Sequence, residues 1–216
     1  RGSTFSGSVD YVISGPAGAA VALKSVSGDL TVANVRGEVR AEAVSGNVNL
    51  TNTPNVSVAK TVSGDVTARV IGTETALALG SVSGSVIATG LKVRSLEAGS
   101  VSGDVRIGGS QIERLEASTV SGNIEFDAPL AKAGRYEFTS HSGDVRVLLS
   151  GNTGFGLDAD TFSGSVRSDV PVTLRSVGRT ERERRGSNRA IRGTYGDASA
   201  ILSVRSHSGS VVITKK

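Results

Sequence analysis

The chain of 216 residues contains no cysteine, no methionine and no tryptophan. Without cysteine there is no disulfide framework and no thiolate metal site, and composition says nothing of the redox compartment. Aromatic residues make up only 4% of the chain. A core must therefore be assembled from Val, Leu, Ile and Ala, and branched side chains at that density favour strands. No segment reads as a signal peptide or a membrane span, and the lack of Met even at position 1 marks a processed or trimmed segment whose targeting sequence is out of view. Charge of one sign is missing too. With 24 basic and 20 acidic residues the net charge is +4, mild for this length, so any basic character is local and the chain is not a basic protein as such.

What is present is glycine, 28 of them, and a hydrophobic content of 38%, enough for one sizeable core. Ten of the glycines sit in one motif, Ser-Gly between mostly apolar residues, as in "KTVSGDVTARV" from Lys60 to Val70. They are Gly7, Gly28, Gly46, Gly64, Gly84, Gly103, Gly122, Gly143, Gly164 and Gly209, spaced by 21, 18, 18, 20, 19, 19, 21, 21 and 45 residues. A period of about 19–20 residues with small drift is what a solenoid tolerates, because length changes are absorbed in its corners. The final interval reads as two rungs plus a short insertion.

Within a repeat the pattern has period two, the mark of a strand with one buried face. Val62, Gly64, Val66, Ala68 and Val70 share one parity, and Val62 and Val66 are expected in the core. A second strand precedes each motif, with apolar residues seven and five positions before the glycine, such as Leu77 and Leu79 or Tyr136 and Phe138. Only the rung before Gly64 slips, using Val56 and Val58. No helical period occurs. A sandwich of hairpins would require turns every 8 to 12 residues, and gives no reason to repeat one segment at twice that spacing. The expected fold is all-β: a single-stranded, right-handed, parallel β-solenoid of about 11 rungs and roughly 50 Å, forming one domain over residues 1–216. "RGSTF" at one end and an Arg-rich insertion at 175–193 near the other are candidate caps.

Stacking turns each motif position into a ladder along the rod. The glycine ladder falls where a Cβ would enter the core or block a bend, so Gly103→Val is expected to destabilise strongly. The serines before the glycines, and Thr or Ser two positions earlier, form a strip of small hydroxyls. After the glycines come Asp, Asn or Ser, which makes Ser63, Asp65, Ser102, Asp104, Ser142 and Asp144 members of surface ladders. No two Asp fall on consecutive rungs. Carboxylates stacked about 4.8 Å apart would repel by roughly 1 kcal/mol even in water. The same alternation argues against calcium, which needs several carboxylate oxygens converging on one point.

Four stretches, "GSVDYVISGPAGAAVALKSVSGDLTV", the central "TVSGDV" repeats, "GRYEFTSHSGDVRVLLSGNTGFGLDADTFSGSV" and "RGTYGDASAILSVRSHSGSVVI", resemble the bacterial β-strand-repeat "adhesin" family, a domain of unknown function. The resemblance covers most of the chain. It implies a right-handed β-solenoid, exported or displayed on the envelope side of a membrane, with no catalytic residues to carry over. The Arg-rich insertion departs from the family pattern.

Candidates for chemistry are few. His141 and His207 share the position usually held by Val, but Phe162 lies on the rung after His141, so the two are expected to be too far apart to share a metal and to serve packing at the C-terminal end. Asp158 and Asp160 imitate a carboxylate pair but have Gly, Ala and Thr as neighbours, whereas a glycosidase site needs further polar groups in a groove. Arg179, Arg182, Arg184, Arg185, Arg189 and Arg192 could contact a polyanion, though Glu181 and Glu183 interrupt the run and no aromatics accompany it. These observations lead to a non-catalytic module with no cofactor, extracytoplasmic, whose partner is a cell-surface glycan or protein. Nucleic acid is not expected. Self-assembly by end-to-end stacking of rungs is the alternative, because solenoid ends are unpaired strand edges.

Overall fold

The computed structural model describes residues 11–174 and 189–216. Every regular element among them is a β-strand. In chain order these are β1 (Val21–Ser27), β2 (Leu30–Ala33), β3 (Val39–Ser45), β4 (Val48–Thr51), β5 (Val56–Ser63), β6 (Val66–Arg69), β7 (Gly72–Ser83), β8 (Val86–Thr89), β9 (Lys92–Ser102) and β10 (Val105–Gly108). There follow β11 (Gln111–Ser121), β12 (Ile124–Pro129), β13 (Arg135–Ser142), β14 (Val145–Ser150), β15 (Phe155–Ser163), β16 (Val166–Ser168), β17 (Thr173–Leu174), β18 (Arg189–Tyr195), β19 (Ala200–Ser208) and β20 (Val211–Lys215). Each described Ser-Gly motif joins a strand of an 11-stranded sheet to a strand of a 9-stranded sheet. Pairing along both sheets is parallel apart from β18. The fold is the β-solenoid that the repeat implies, with nine motif rungs in the described residues and a stacked length of about 40 Å.

Inward-facing residues come from both sheets: Leu77 and Leu79 on β7, Val86 and Ala88 on β8, and their equivalents on the other rungs are buried. Between the two sheets the chain turns a corner at Ser-Gly, and there the expected parity fails. The last inward residue of β5 is Thr61 and the next inward residue is Val66, so four residues instead of one lie between them, and Val62 is 47% exposed. The corner needs both Val62 and Ser63 outside the turn before Gly64, at φ +141°, reverses the chain. Val62 therefore does not fill the core. The slip before Gly64 is a β-bulge: Val39 pairs Val56 while Arg40 pairs Val58, so Ala59, not Val58, takes the inward place beside Val56.

A second corner, six residues after the motif glycine, has no fixed residue type. Asn34, Asn52, Val70, Gly90 and Gly109 occupy it at φ of 59°, 52°, 52°, 66° and 56°. Asn and Gly suit the left-handed region, whereas a β-branched residue there is strained. The core also changes along the rod. Phe126, Tyr136 and Phe138 pack together toward the C-terminal end, with ring centroids 5.5–5.6 Å apart about Phe126. The buried Tyr136 hydroxyl donates to the Ile112 carbonyl at 2.5 Å and accepts from the Ala131 amide at 2.7 Å. Burial pushes its phenol pKa up.

Stack order and chain order part company at the end. β13 pairs not with β15 but with β19, and β15 pairs with β19 on its other side. In the second sheet β20 likewise lies between β14 and β16. The C-terminal rung is thus interleaved between two rungs that precede it in sequence. In place of the two rungs expected, the described part of the 45-residue interval between Gly164 and Gly209 holds β16, β17, β18 and β19: the end of one motif rung, an antiparallel pair and the start of the last rung. β18 runs antiparallel to β15 and covers its free edge, with two-residue β17 outside it. The chain then crosses over the start of β15 through the turn 196–199. There Ala200 donates to the Gly154 carbonyl at 3.0 Å and the Ser199 hydroxyl donates to it at 3.2 Å. A Cβ on Gly154 would collide with the backbone of Asp197. The "YGDAS" of the closing stretch is this clasp.

Candidate functional site

The Ser-Gly corner governs the rod's outer surface. In stack order its glycines are Gly28, Gly46, Gly64, Gly84, Gly103, Gly122, Gly143, Gly209 and Gly164, and from Gly46 on a Cβ on any of them would enter the carbonyl group of the glycine before it. Gly7 lies outside the described residues. The obstacle is backbone, so no rotamer relieves it. Three positions before the glycine, the hydroxyls of Thr61, Ser81, Ser100, Thr119 and Thr161 each donate to the glycine carbonyl one rung back, at 2.8–3.1 Å. These residues are buried. They therefore do not extend the exposed hydroxyl strip but lock each corner onto its neighbour.

The residue after the glycine works in the opposite direction. Oδ1 of Asp29, Asn47, Asp65, Asp104, Asn123 and Asp144 accepts the backbone N–H of the equivalent residue on the following rung, at 2.7–3.0 Å. The carboxylates are engaged one at a time along the rod instead of converging on a point. In stack order the sequence at this position is Asp29, Asn47, Asp65, Ser85, Asp104, Asn123, Asp144, Ser210 and Ser165, so no two Asp are neighbours even after the interleaving. Stacked Asn and Asp need only an acceptor oxygen for this bond, which accounts for their exchange.

Left facing solvent are two rows side by side. One is the serine row, with Ser63, Ser102 and Ser142 among its exposed members. The other is an apolar ridge formed by Val26, Val44, Val62, Val82, Val101 and Val120, continued by His141, His207 and Phe162. Beside the ridge runs an open groove of about 590 Å³ whose lining includes Gly99, Val101, Ser118, Val120, His141 and Arg205. Sequence parity placed these valines inside. The signal that would have put them outside is the break in register, two outward residues before every motif glycine.

The interleaved rung also brings the two histidines together. His141 and His207 stack with ring centroids 4.8 Å apart and 2° between planes, and Phe162 stacks on the far side of His207 at 5.0 Å. They are neighbours, contrary to the order expected from sequence. Stacked parallel rings are still not arranged to share a metal, because each ring nitrogen directs its lone pair within its own ring plane and the two planes do not converge. Packing is the role this geometry serves. Asp158 pairs with Arg192 at 3.0 Å, and Asp160, on the same face, lies opposite Arg205 of β19. Arg179, Arg182, Arg184 and Arg185 lie outside the described residues. Arg189 opens β18, in register with Thr161.

These features define a class: a parallel β-solenoid whose corner side chains bond one rung to the next and whose outer surface repeats small residues. The chain belongs to the Toastrack DUF4097 family, whose model matches residues 3–86 and 59–214. The two matches overlap because self-similar rungs fit one profile in more than one frame. No curated protein and no solved structure matches the chain.

Proposed function

We propose that the protein is a non-catalytic, adhesin-like interaction module of the bacterial envelope, working outside the cytoplasm as a stiff rod that presents one repeated face. The observation that carries this reading is the exposed ridge of valines beside the serine row, unbroken over six rungs. A soluble protein rarely leaves a contiguous apolar strip in water unless something covers it. The buried Thr and Ser hydroxyls and the Asp and Asn oxygens that repeat with equal regularity are spent on rung-to-rung bonds. Those two ladders thus serve the rod, and the ridge with the exposed serine row beside it is what remains for a partner. End-to-end stacking has less behind it, because among the described residues the C-terminal sheet edges are the two-residue β17 and the three-residue β16. The exposed serine hydroxyls favour a partner able to accept or donate many weak hydrogen bonds, such as a surface polysaccharide.

The test is retention of the purified chain on isolated bacterial envelopes, compared with Val82→Asp and Val120→Asp variants. Retention of the parent chain and its loss in both variants supports the reading. No retention of the parent, or turnover of an envelope polymer by it, sinks the reading.

A further inference from the structure

The face proposed above carries a charge pattern of its own. Four positions before each motif glycine, beside the valine ridge, the in-register residues along the stack are Lys24, Glu42, Lys60, Gly80, Gly99, Ser118, Thr139, Arg205 and Asp160. The row is charged at both ends and neutral and small in the middle. Read in one direction, one end runs Lys24, Glu42, Lys60 and the other Arg205, Asp160, so each end begins plus then minus. A two-fold axis lying in the face and crossing the rod at the fifth rung, that of Gly99 and Val101, lays each row against the same row of a second copy running the other way. Lys24 then meets Asp160, Glu42 meets Arg205, Lys60 meets Thr139, Gly80 meets Ser118 and Gly99 meets itself. On the ridge, Val82 meets Val120, Val101 meets itself, and Val26 meets Phe162.

We infer that this face also takes a second copy of the chain, packed antiparallel and side by side through the valine ridge, so that the dimer and an envelope partner exclude one another there. The inference rests on the reading of the ridge as the interaction face. Four residues of strand across and nine rungs along give about 13 Å by about 40 Å, or roughly 500 Å² per copy and about 1,000 Å² in all. That stands at the lower limit for a specific interface, so the dimer is weak and concentration-dependent. Its width is set by Glu97, exposed on the same rung two positions further out, which would face its own copy across the axis. In each copy Lys24 already holds Glu42 at 2.9 Å and Arg205 holds Glu137 at 3.4 Å. The antiparallel contact joins these pairs into mixed clusters, and Lys60, which has no acid across the interface, lies in register beside Glu42 of its own copy.

Sedimentation velocity on the purified chain over a concentration series tests this, with thermal melts to confirm that each variant folds. A reversible monomer–dimer equilibrium is expected. Val101→Asp, on an exposed side chain at the axis, weakens it at least tenfold, and Glu97→Gln tightens it. Glu42→Lys and Arg205→Glu each weaken it, and the double variant recovers most of the loss. A chain that stays monomeric up to its solubility limit, or a dimer indifferent to Val101→Asp and to the charge exchange, overturns the inference. If such a monomer still binds envelopes through its valines, the lateral dimer is wrong while the proposed function stands.

Discussion

The first seven described rungs and the last two are built from the same motif but are held in place differently. From β1 to β14 every rung lies on the one before it in sequence, and its ladder bonds close over 15 to 21 residues. At the end, the Ser142–Ser208 pairing spans 66 residues and places the last rung next to β13, ahead of β15. By loop-closure entropy the longer span costs only about 1 kcal/mol more. Little is therefore needed to tip the order, and β18 supplies it. By pairing antiparallel with β15 it occupies the edge that would otherwise be free, and the clasp over Gly154 then directs β19 to the opposite edge. Identical motifs can stack in any order; what fixes the order is the irregular segment between them.

The largest effect follows from removing that last rung. A chain ending at residue 199 keeps β15–β18 but lacks the strand that joins them to β13, so β15 and β16 are expected to lose amide protection entirely. A chain ending at residue 150 removes both rungs and leaves β13–β14 as a clean end. The shorter chain should accordingly melt more cooperatively and aggregate less than the longer one. Hydrogen exchange and thermal melts of the two decide it. Full protection of β15 in the longer chain would mean that this strand docks on β13 directly and that interleaving is dispensable.

Next in size is the glycine ladder in the regular part. Gly103→Val drives a side chain into the carbonyl of Gly84, and the cost should be on the order of 4 kcal/mol or more, the range of severe core disruption. Gly108, five residues on and in β10, has nothing within 4 Å of its would-be Cβ. Gly108→Ala is expected to be neutral or to stabilise by about 0.5 kcal/mol through the unfolded state. Chemical denaturation of both variants measures the contrast. Equal effects would place the close contact elsewhere.

The sequence made the solenoid legible because one segment must stack on itself, and the glycine, Ser and Asp ladders appear at the positions read from it. Four things were hidden, each for a physical reason. Val62 and its equivalents look like core because alternation is a property of straight strands, and the corner shifts the phase. The Thr and Ser three positions before the glycine look like surface residues for the same reason. The neighbouring histidines were invisible because stack order is not a local property. The second corner left no motif because its requirement is a left-handed backbone, which Asn34, Gly90 and Val70 meet with different side chains.

Val70 is the exception that tests this last point. At φ +52° and 64% exposed, its side chain gains little from burial while its backbone is strained. Val70→Gly, which makes it like Gly90 and Gly109, should raise stability by about 1 kcal/mol. Denaturant midpoints compare the two chains, and a destabilised variant would show that the Val side chain contributes packing that outweighs the strain.

The smallest effect probes the clasp. Asp197 accepts the Ser199 amide at 3.2 Å, and hydrogen bonding with Ser199 holds its carboxyl below the usual carboxylate range. A carboxyl lowered on folding stabilises the protein at pH above its ordinary value, and that contribution is lost as the pH falls through the lowered one. Asp197→Asn keeps an acceptor for the Ser199 amide but cannot titrate. The variant should therefore match the parent near neutrality and lose less of its stability on acidification. The comparison is the slope of melting temperature against pH below about 4, where an ordinary aspartate begins to protonate. If the two full-length slopes coincide, the turn is held by Ser199 and Ala200 on the Gly154 carbonyl, and Asp197 contributes only its backbone.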